Sequence, residues 1–376
     1  MRALACLALA ACAHRGADTR PSEAELRAFY YGDDEGLAVV TTHAQVTQRL
    51  PWGDTLVVEA GVDAIELEPV DAVSSASVSV DGEGGLVEQR YEIAPGYVLA
   101  LGDEHAPVDV SARARVSSEP DYLSWSGELG VVADAFERNT TLGAFIGYGH
   151  DTIAPTRVAE GDEGAWPAAH ERVYGVVSLR QILGKRLDVS AGLALTWQSG
   201  ALASPYRRAQ VLVGRGFFAR LVAEPERHPG ERTRAVGSVA SAIWLGSGVA
   251  LHPRITGYAD SWGVLALAPE LGVNVELGAR GLLLAAYRFT TQGAADFFAR
   301  SYRLDDELRT GDRRLGALDE HQAGLELRWT VVGVPEQAGA LALALGWALS
   351  WLTYRGLEPD RPVTAHEGTL GLLLRY

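Results

Sequence analysis

The sequence predicts an all-β protein, a transmembrane antiparallel up-and-down β-barrel of about sixteen strands, with fourteen to eighteen as bounds. Three observations predict it. Apolar and polar residues alternate with a period of two in run after run. Each run is about as long as a tilted strand needs to cross a bilayer, roughly ten residues. The connections alternate between short turns and longer polar loops, the usual asymmetry of outer-membrane barrels. The clearest run is 107–118, where Val108, Val110, Ala112, Ala114 and Val116 alternate with Asp109, Ser111, Arg113, Arg115 and Ser117. A strand sends successive side chains to opposite faces, so one face here is apolar and the other charged. The expectation is that Val110, Ala112 and Ala114 face lipid while Ser111, Arg113 and Arg115 face a lumen.

The other elements follow in order. Residues 1–12 read as an export signal, with Arg2 as a minimal positive region and an apolar core from Ala3 to Ala11. Leu9-Ala10-Ala11-Cys12 resembles a lipobox, which makes Cys12 a candidate lipidation site; an ordinary cleavage site is the alternative. Residues 13–23 are expected to form a flexible lead, and 24–376 the barrel. Candidate strands are 24–32, 36–49, 54–66, 86–100, 107–118, 121–136, 139–151, 171–183, 186–199, 232–246, 248–259, 263–277, 281–292, 319–332, 340–354 and 365–376. The alternation is strongest in 186–199, as Leu187, Val189, Ala191, Leu193, Leu195 and Trp197, and in 340–354, as Leu341, Leu343, Leu345, Trp347, Leu349 and Trp351. Pro95 and Pro253 fall inside candidates and are expected to mark bulges or strand ends, because proline lacks the donor a ladder needs. Turns at 51–53, 102–106, 137–138 and 184–185 are short; connections at 67–85, 152–170, 200–231, 293–318 and 355–364 are long and polar. The stripe Leu370, Leu372, Leu374 and Tyr376 resembles the signal by which such barrels are handed to the barrel assembly machinery.

Composition agrees. Mean hydropathy is +0.02 and no stretch of eighteen apolar residues follows the start, which argues against a helical membrane protein. The 42 glycines suit curved strands and small lumen positions, and several of the 9 tryptophans fall near run ends, where a membrane interface would place them. A net charge of −15 without a basic cluster argues against nucleic acid as a partner. Both cysteines, Cys6 and Cys12, precede residue 13, so the barrel proper has no disulfide and no thiolate metal site.

Several stretches carry a resemblance. VSSAS at 73–77, SSEPDYLS at 117–124, NTTLGAFIGYGHDTIAP at 139–155, DSWGV at 260–264 and AADFF at 294–298 come in this order along the chain. Together they resemble a family of bacterial outer-membrane barrels catalogued only as a domain of unknown function. The resemblance implies an outer-membrane barrel in contact with outer-membrane lipid. It implies no substrate and no catalytic residues.

No cofactor and no enzymatic activity are expected. His150–Asp151 reads as a loop-proximal polar pair, and Ser126 with His150 lacks the orienting third group of a hydrolase. The acidic turn Asp33-Asp34-Glu35 reads as a solvated loop, and GEGG at 82–85 lacks the lysine of a phosphate loop. The polar faces are more informative. Arg113, Arg115, Glu128, Asp134, Arg186, Asp188, Glu270, Glu276, Glu326 and Arg328 are expected to line the lumen, since an Arg in mid-bilayer costs about 2–4 kcal/mol. Arg113 and Arg115 are expected to pair with Glu128 or Asp134 on the adjoining strand. Two functions follow from this pattern: a channel or transport barrel for small solutes, or a structural barrel with a charge-paired lumen whose long loops bind a partner.

Overall fold

The structure, a computed structural model, describes residues 20–67, 86–103, 105–155, 166–356 and 362–376. Nineteen strands run in chain order: β1 (Glu23–Asp33), β2 (Leu37–Arg49), β3 (Thr55–Leu67), β4 (Leu86–Leu101), β5 (Val108–Glu119), β6 (Tyr122–Ala135), β7 (Thr140–Ile153), β8 (Ala168–Gly184), β9 (Leu187–Gly200), β10 (Arg208–Val213), β11 (Arg220–Pro225), β12 (Glu231–Gly246), β13 (Val249–Asp260), β14 (Leu265–Leu277), β15 (Gly281–Gln292), β16 (Tyr302–Arg303), β17 (Leu318–Val332), β18 (Leu341–Tyr354) and β19 (Val363–Arg375). Sixteen of them form one closed antiparallel barrel in chain order, and β11, β10 and β16 form a separate three-stranded sheet. The expected count of transmembrane strands is therefore met, and every expected strand has its counterpart. Closure joins β1 to β19, with Glu23 opposite Arg375 and Asp33 opposite Ala365. Ser22 and Tyr376 exchange two backbone hydrogen bonds of 3.0 and 2.9 Å at the end of this seam.

The alternation holds along the strands. In β5 the side chains of Val110, Ala112, Ala114 and Val116 are exposed on the outer face, while Ser111, Arg113, Arg115 and Ser117 are partly or fully covered on the inner one. Apolar side chains with no protein over them form the outer belt; Leu129, Ile146 and Leu345 are 61, 60 and 64% exposed. Such a belt buries itself in hydrocarbon, and aromatic residues mark its edges. Trp52, Phe136, Trp244 and Trp329 lie toward the turn end of the barrel, where the termini meet. Trp125, Tyr148 and Trp351 lie toward the other, loop end. Among the described residues no helix is long and apolar enough to cross a membrane.

The prolines depart from expectation. Pro95 and Pro253 interrupt neither strand nor register: pairing across β4–β5 keeps its register from Ile93–Val116 to Gly96–Arg113, and across β12–β13 from Ala240–Arg254 to Ile243–Leu251. On the other side Pro95 stays opposite Val58 and Pro253 opposite Leu271. A residue in a sheet directs its N–H toward one neighbour only, so proline costs one ladder a bond and leaves the other intact.

The barrel begins at Glu23, inside the stretch expected to be a lead. The candidate lipidation site Cys12, the export signal and the VSSAS stretch lie outside the described residues.

Candidate functional site

Two regions hold chemistry: the inner wall and a folded lid across its loop end. On the wall, Arg113 is opposite Glu128 in β6 but pairs with Glu59 of β3, two strands away in the other direction. The cause is local. Its other neighbour is Gly96 of β4, which has no side chain to block the guanidinium on its way to Glu59. Arg115 likewise turns to Glu92, at 3.5 Å. Glu128 instead accepts from Tyr174 at 2.8 Å, the Tyr174 ring lying over Gly147, where a Cβ would collide with it. Asp134 takes Arg138 at 3.3 Å and Thr141 at 2.6 Å. The expected pairing of both arginines with Glu128 or Asp134 is thus replaced by pairing toward β3 and β4.

Asp188 pairs with Arg180 at 2.5 Å, and Glu326 with Arg328 on the same strand. Glu270 sits in register between Arg254 and Arg288, and Glu276 lies on the same face near the turn end. Arg186 is a correction. It occupies the two-residue turn between β8 and β9, exposed, where its carbonyl accepts from the Trp244 N–H at 2.8 Å. A turn residue has no strand face, so the alternation does not apply to it.

His150 and Asp151 point to opposite faces. His150 stacks near Trp125 on the outside, with centroids 5.8 Å apart, whereas Ser126 faces inward; no hydrolytic pair exists there. Asp151 is wholly buried in the wall and accepts from Ser124 at 2.6 Å and faces the His170 ring at 2.7 Å, with Arg172 at 3.5 Å. Ser124 donates to the aspartate and the second ring nitrogen of His170 meets the Gln198 amide at 3.1 Å, so the two side chains make no serine–histidine contact of the kind nucleophilic chemistry needs.

The lid was not anticipated; 200–231 and 293–318 were expected to be loops. Instead β10 and β11 form a hairpin and β16 runs parallel to β10, Val211 opposite Tyr302. Ala209 and Val211 are fully buried against Tyr302. Trp262, Val264, Ala295 and Leu315 form a second apolar cluster, with Leu202 of the lid packed against it. DSWGV and AADFF therefore meet in one place, and Asp121 of SSEPDYLS accepts a hydrogen bond from the Tyr206 hydroxyl of the lid.

Buried charges hold the lid together. Glu226, with a wholly buried carboxylate, accepts from the Thr310 hydroxyl at 2.7 Å and the Gly311 N–H at 2.8 Å and lies 3.6 Å from both Arg207 and His228. Burial pushes its carboxyl up, but the His228 ring and the Arg207 guanidinium outweigh this and bring it down to about 2. Arg207 also meets Asp312 at 2.9 Å, and Arg313 pairs with Glu35 in the β1–β2 turn. The acidic turn expected to be merely solvated thus anchors the lid. Beneath lies a chamber of about 580 Å³ bounded by lid residues 202–207, by inner-face residues of β2 to β6, and by Arg232 and Arg234 of β12 on the opposite wall. Among the described residues no cluster of His, Cys, Asp or Glu suits a metal ion.

Residues 81–342 match the family model described as "Protein of unknown function (DUF3570)". The chain belongs to the DUF3570 family. No curated protein matches its sequence. Among solved structures the chain is similar to a bacterial polysaccharide outer membrane secretin, at 10% identity and a TM-score of 0.52, over 96% of this chain and 99% of that one. It is also similar to a variant of the ferric enterobactin receptor (PfeA) from Pseudomonas aeruginosa, at 12% identity and a TM-score of 0.45, over 90% of this chain and 54% of that one. A third is OmpT lacking loop L8, an outer membrane protein of Vibrio cholerae, at 9% identity and a TM-score of 0.43, over 95% of this chain and 99% of that one. The chain thus spans about half the length of the enterobactin receptor. The likeness to the secretin is one of fold, and the fold of this DUF3570 chain is a closed sixteen-stranded antiparallel β-barrel.

Proposed function

We propose that this DUF3570 protein is a channel for small solutes in the outer membrane of a Gram-negative bacterium, with its loop end outward and narrowed by the lid. The observation that carries this reading is the state of the inner wall. Arg113, Arg115 and Arg328 are paired yet keep 32, 41 and 47% of their side-chain surface exposed, as do charges that face water rather than a packed interior. A sixteen-stranded barrel is wide enough for an aqueous path. Planar-bilayer recording of the refolded protein tests it: stepwise conductance is expected, rising when residues 208–225 are replaced by a short Gly-Ser linker. Silence from both folded proteins would end the channel reading.

A second reading, a barrel whose loops bind a partner, is favoured by the tip of the β10–β11 hairpin. Phe217 and Phe218 are 100 and 84% exposed there, between Arg215 and Arg220. Exposed aromatic pairs are uncommon on surfaces with nothing to bind. Loss of surface adhesion without loss of conductance in Phe217→Ser/Phe218→Ser would support it.

A further inference from the structure

The chamber beneath the lid has one charge too many. Arg232 and Arg234 project into it from the same face of β12. Arg232 is fully engaged: it holds Asp260, and its guanidinium lies 4.2 Å over the Trp262 ring. Asp260 is saturated as well. One carboxylate oxygen takes Arg232 and the Tyr258 hydroxyl at 2.7 Å, and the other takes the N–H groups of Trp262 and Val264 at 2.9 and 3.0 Å. Nothing is left for Arg234, which makes no hydrogen bond or ion pair to any described residue, and its Nε is buried without a partner. The remaining acids at the chamber are committed: Asp63 to Arg90, Asp312 to Arg207, and Glu119 to a partner of its own. His228, also at the chamber, is committed: it donates through Nδ1 to the Leu202 carbonyl at 3.0 Å, and its Nε2 lies 3.6 Å from the Glu226 carboxylate.

The half-buried Arg234 guanidinium feels Asp260 without pairing with it and is repelled by Arg232, so an anion in the chamber would supply the hydrogen-bonding counter-charge that the wall does not. Apolar surface surrounds the charged end: Leu202, Tyr206 and Trp262 line the chamber from the lid side. Its volume of about 580 Å³ is that of a small-molecule site. We propose that the chamber binds a small organic anion, a carboxylate or phosphate ester, with the charged end on Arg234 and an apolar body against Tyr206, Leu202 and Trp262. The chamber lies on the path of the proposed channel, but its occupancy is read by binding rather than by current, so failure of one reading is distinguishable from failure of the other.

The test uses the full chain refolded in detergent, with phenyl phosphate and benzoate as probes, and inorganic phosphate and benzyl alcohol as comparators, by calorimetry and tryptophan fluorescence. Both aryl anions are expected to bind saturably, and benzyl alcohol at least about tenfold more weakly. Arg234→Gln should weaken phenyl phosphate at least about tenfold. Arg254→Gln, which removes an exposed guanidinium of the same wall, should leave the affinity within about twofold. Absence of saturable binding, equal binding by Arg234→Gln, or benzyl alcohol binding as tightly as benzoate would overturn the proposal. Inorganic phosphate binding as tightly as phenyl phosphate would overturn the organic half of it and assign the site to free phosphate. Should Arg234→Gln fail to refold, Ala203→Trp fills the chamber from the lid without touching a charge; unchanged phenyl phosphate binding in that variant would also overturn it.

Discussion

Ala114 and Arg113 are neighbours in sequence, yet replacement of each should have opposite consequences. Ala114 is the seventh of the 12 residues of β5 and faces outward. At about 3.3 Å per residue and a tilt near 40°, it lies about 15 Å from the turn end of the strand, close to the midplane of an apolar band about 25 Å tall. Its directly opposed partner is Gly127, which offers no carboxylate. Ala114→Arg therefore places a guanidinium in hydrocarbon at about 2–4 kcal/mol. Ala112, two residues nearer the edge, should cost less with the same change. Arg113 faces the other way, in a partly solvated pair with Glu59, and Glu59 keeps His43 at 3.8 Å when the arginine is removed. Solvated pairs are worth about 0–1 kcal/mol, so Arg113→Ala should be nearly silent for folding. A gap of about 2 kcal/mol is roughly thirtyfold in the folded-to-unfolded ratio. Urea titration in phospholipid vesicles, followed by tryptophan fluorescence and heat-modifiable gel mobility, measures it. Equal damage from the two changes, or a harmless Ala114→Arg, would refute the facing of β5.

Other outcomes follow from the lid and the wall. The Glu226 carboxyl is depressed from an ordinary 4.5 to about 2, so its stabilisation, on the order of 3 kcal/mol, is present above 4.5 and lost as pH falls toward 2. Protease cleavage within 208–225 should accordingly rise between pH 5 and pH 3 in a barrel that stays folded; a cleavage rate flat across that window would contradict this. Asp151→Ala leaves His170 and Arg172 without their buried partner and should lower wall stability by about 3 kcal/mol in the same urea titration, against no change if the network is dispensable. Trp262→Ala removes the centre of the lid's apolar cluster, at a cost of about 3 kcal/mol, and hydrogen exchange should speed up in 201–230 but not in β5 or β6.

The barrel was legible because its physics is periodic. In β5, β9 and β18 every second residue must be apolar to meet lipid, and that constraint is written residue by residue. Inward charges were legible for the same reason, and Arg186 was misplaced because it stands where the period stops. Ion-pair partners were not legible. Strand adjacency puts Arg113 beside Glu128, but the empty side chain of Gly96 opens the other route, and that choice depends on a residue seventeen positions away. The lid left a fainter signal. Ala209, Val211 and Val213 do alternate, followed by Gly214 and Gly216, yet so short a hairpin is stable only when packed on something else. Its support comes from Tyr302, far along the chain, and from buried charges whose partners lie on separate loops.

The Arg313–Glu35 contact joins residues 278 positions apart, and its place on the circle gives it a further meaning. Before β1 meets β19, the path through hydrogen-bonded neighbours from the β1–β2 turn to the β15–β17 loop runs the long way round, through β2 to β15. After closure only β1, β19, β18 and β17 separate them. The contact therefore straddles the seam at the loop end, as the Ser22–Tyr376 backbone bonds and the Glu23–Arg375 pair straddle it at the turn end. An open sheet would have to pay nearly the whole loop-closure entropy to form it; a closed one forms it between neighbours. Of the ties between lid and wall, the one to the β1–β2 turn is thereby the one that closure of the cylinder brings within reach.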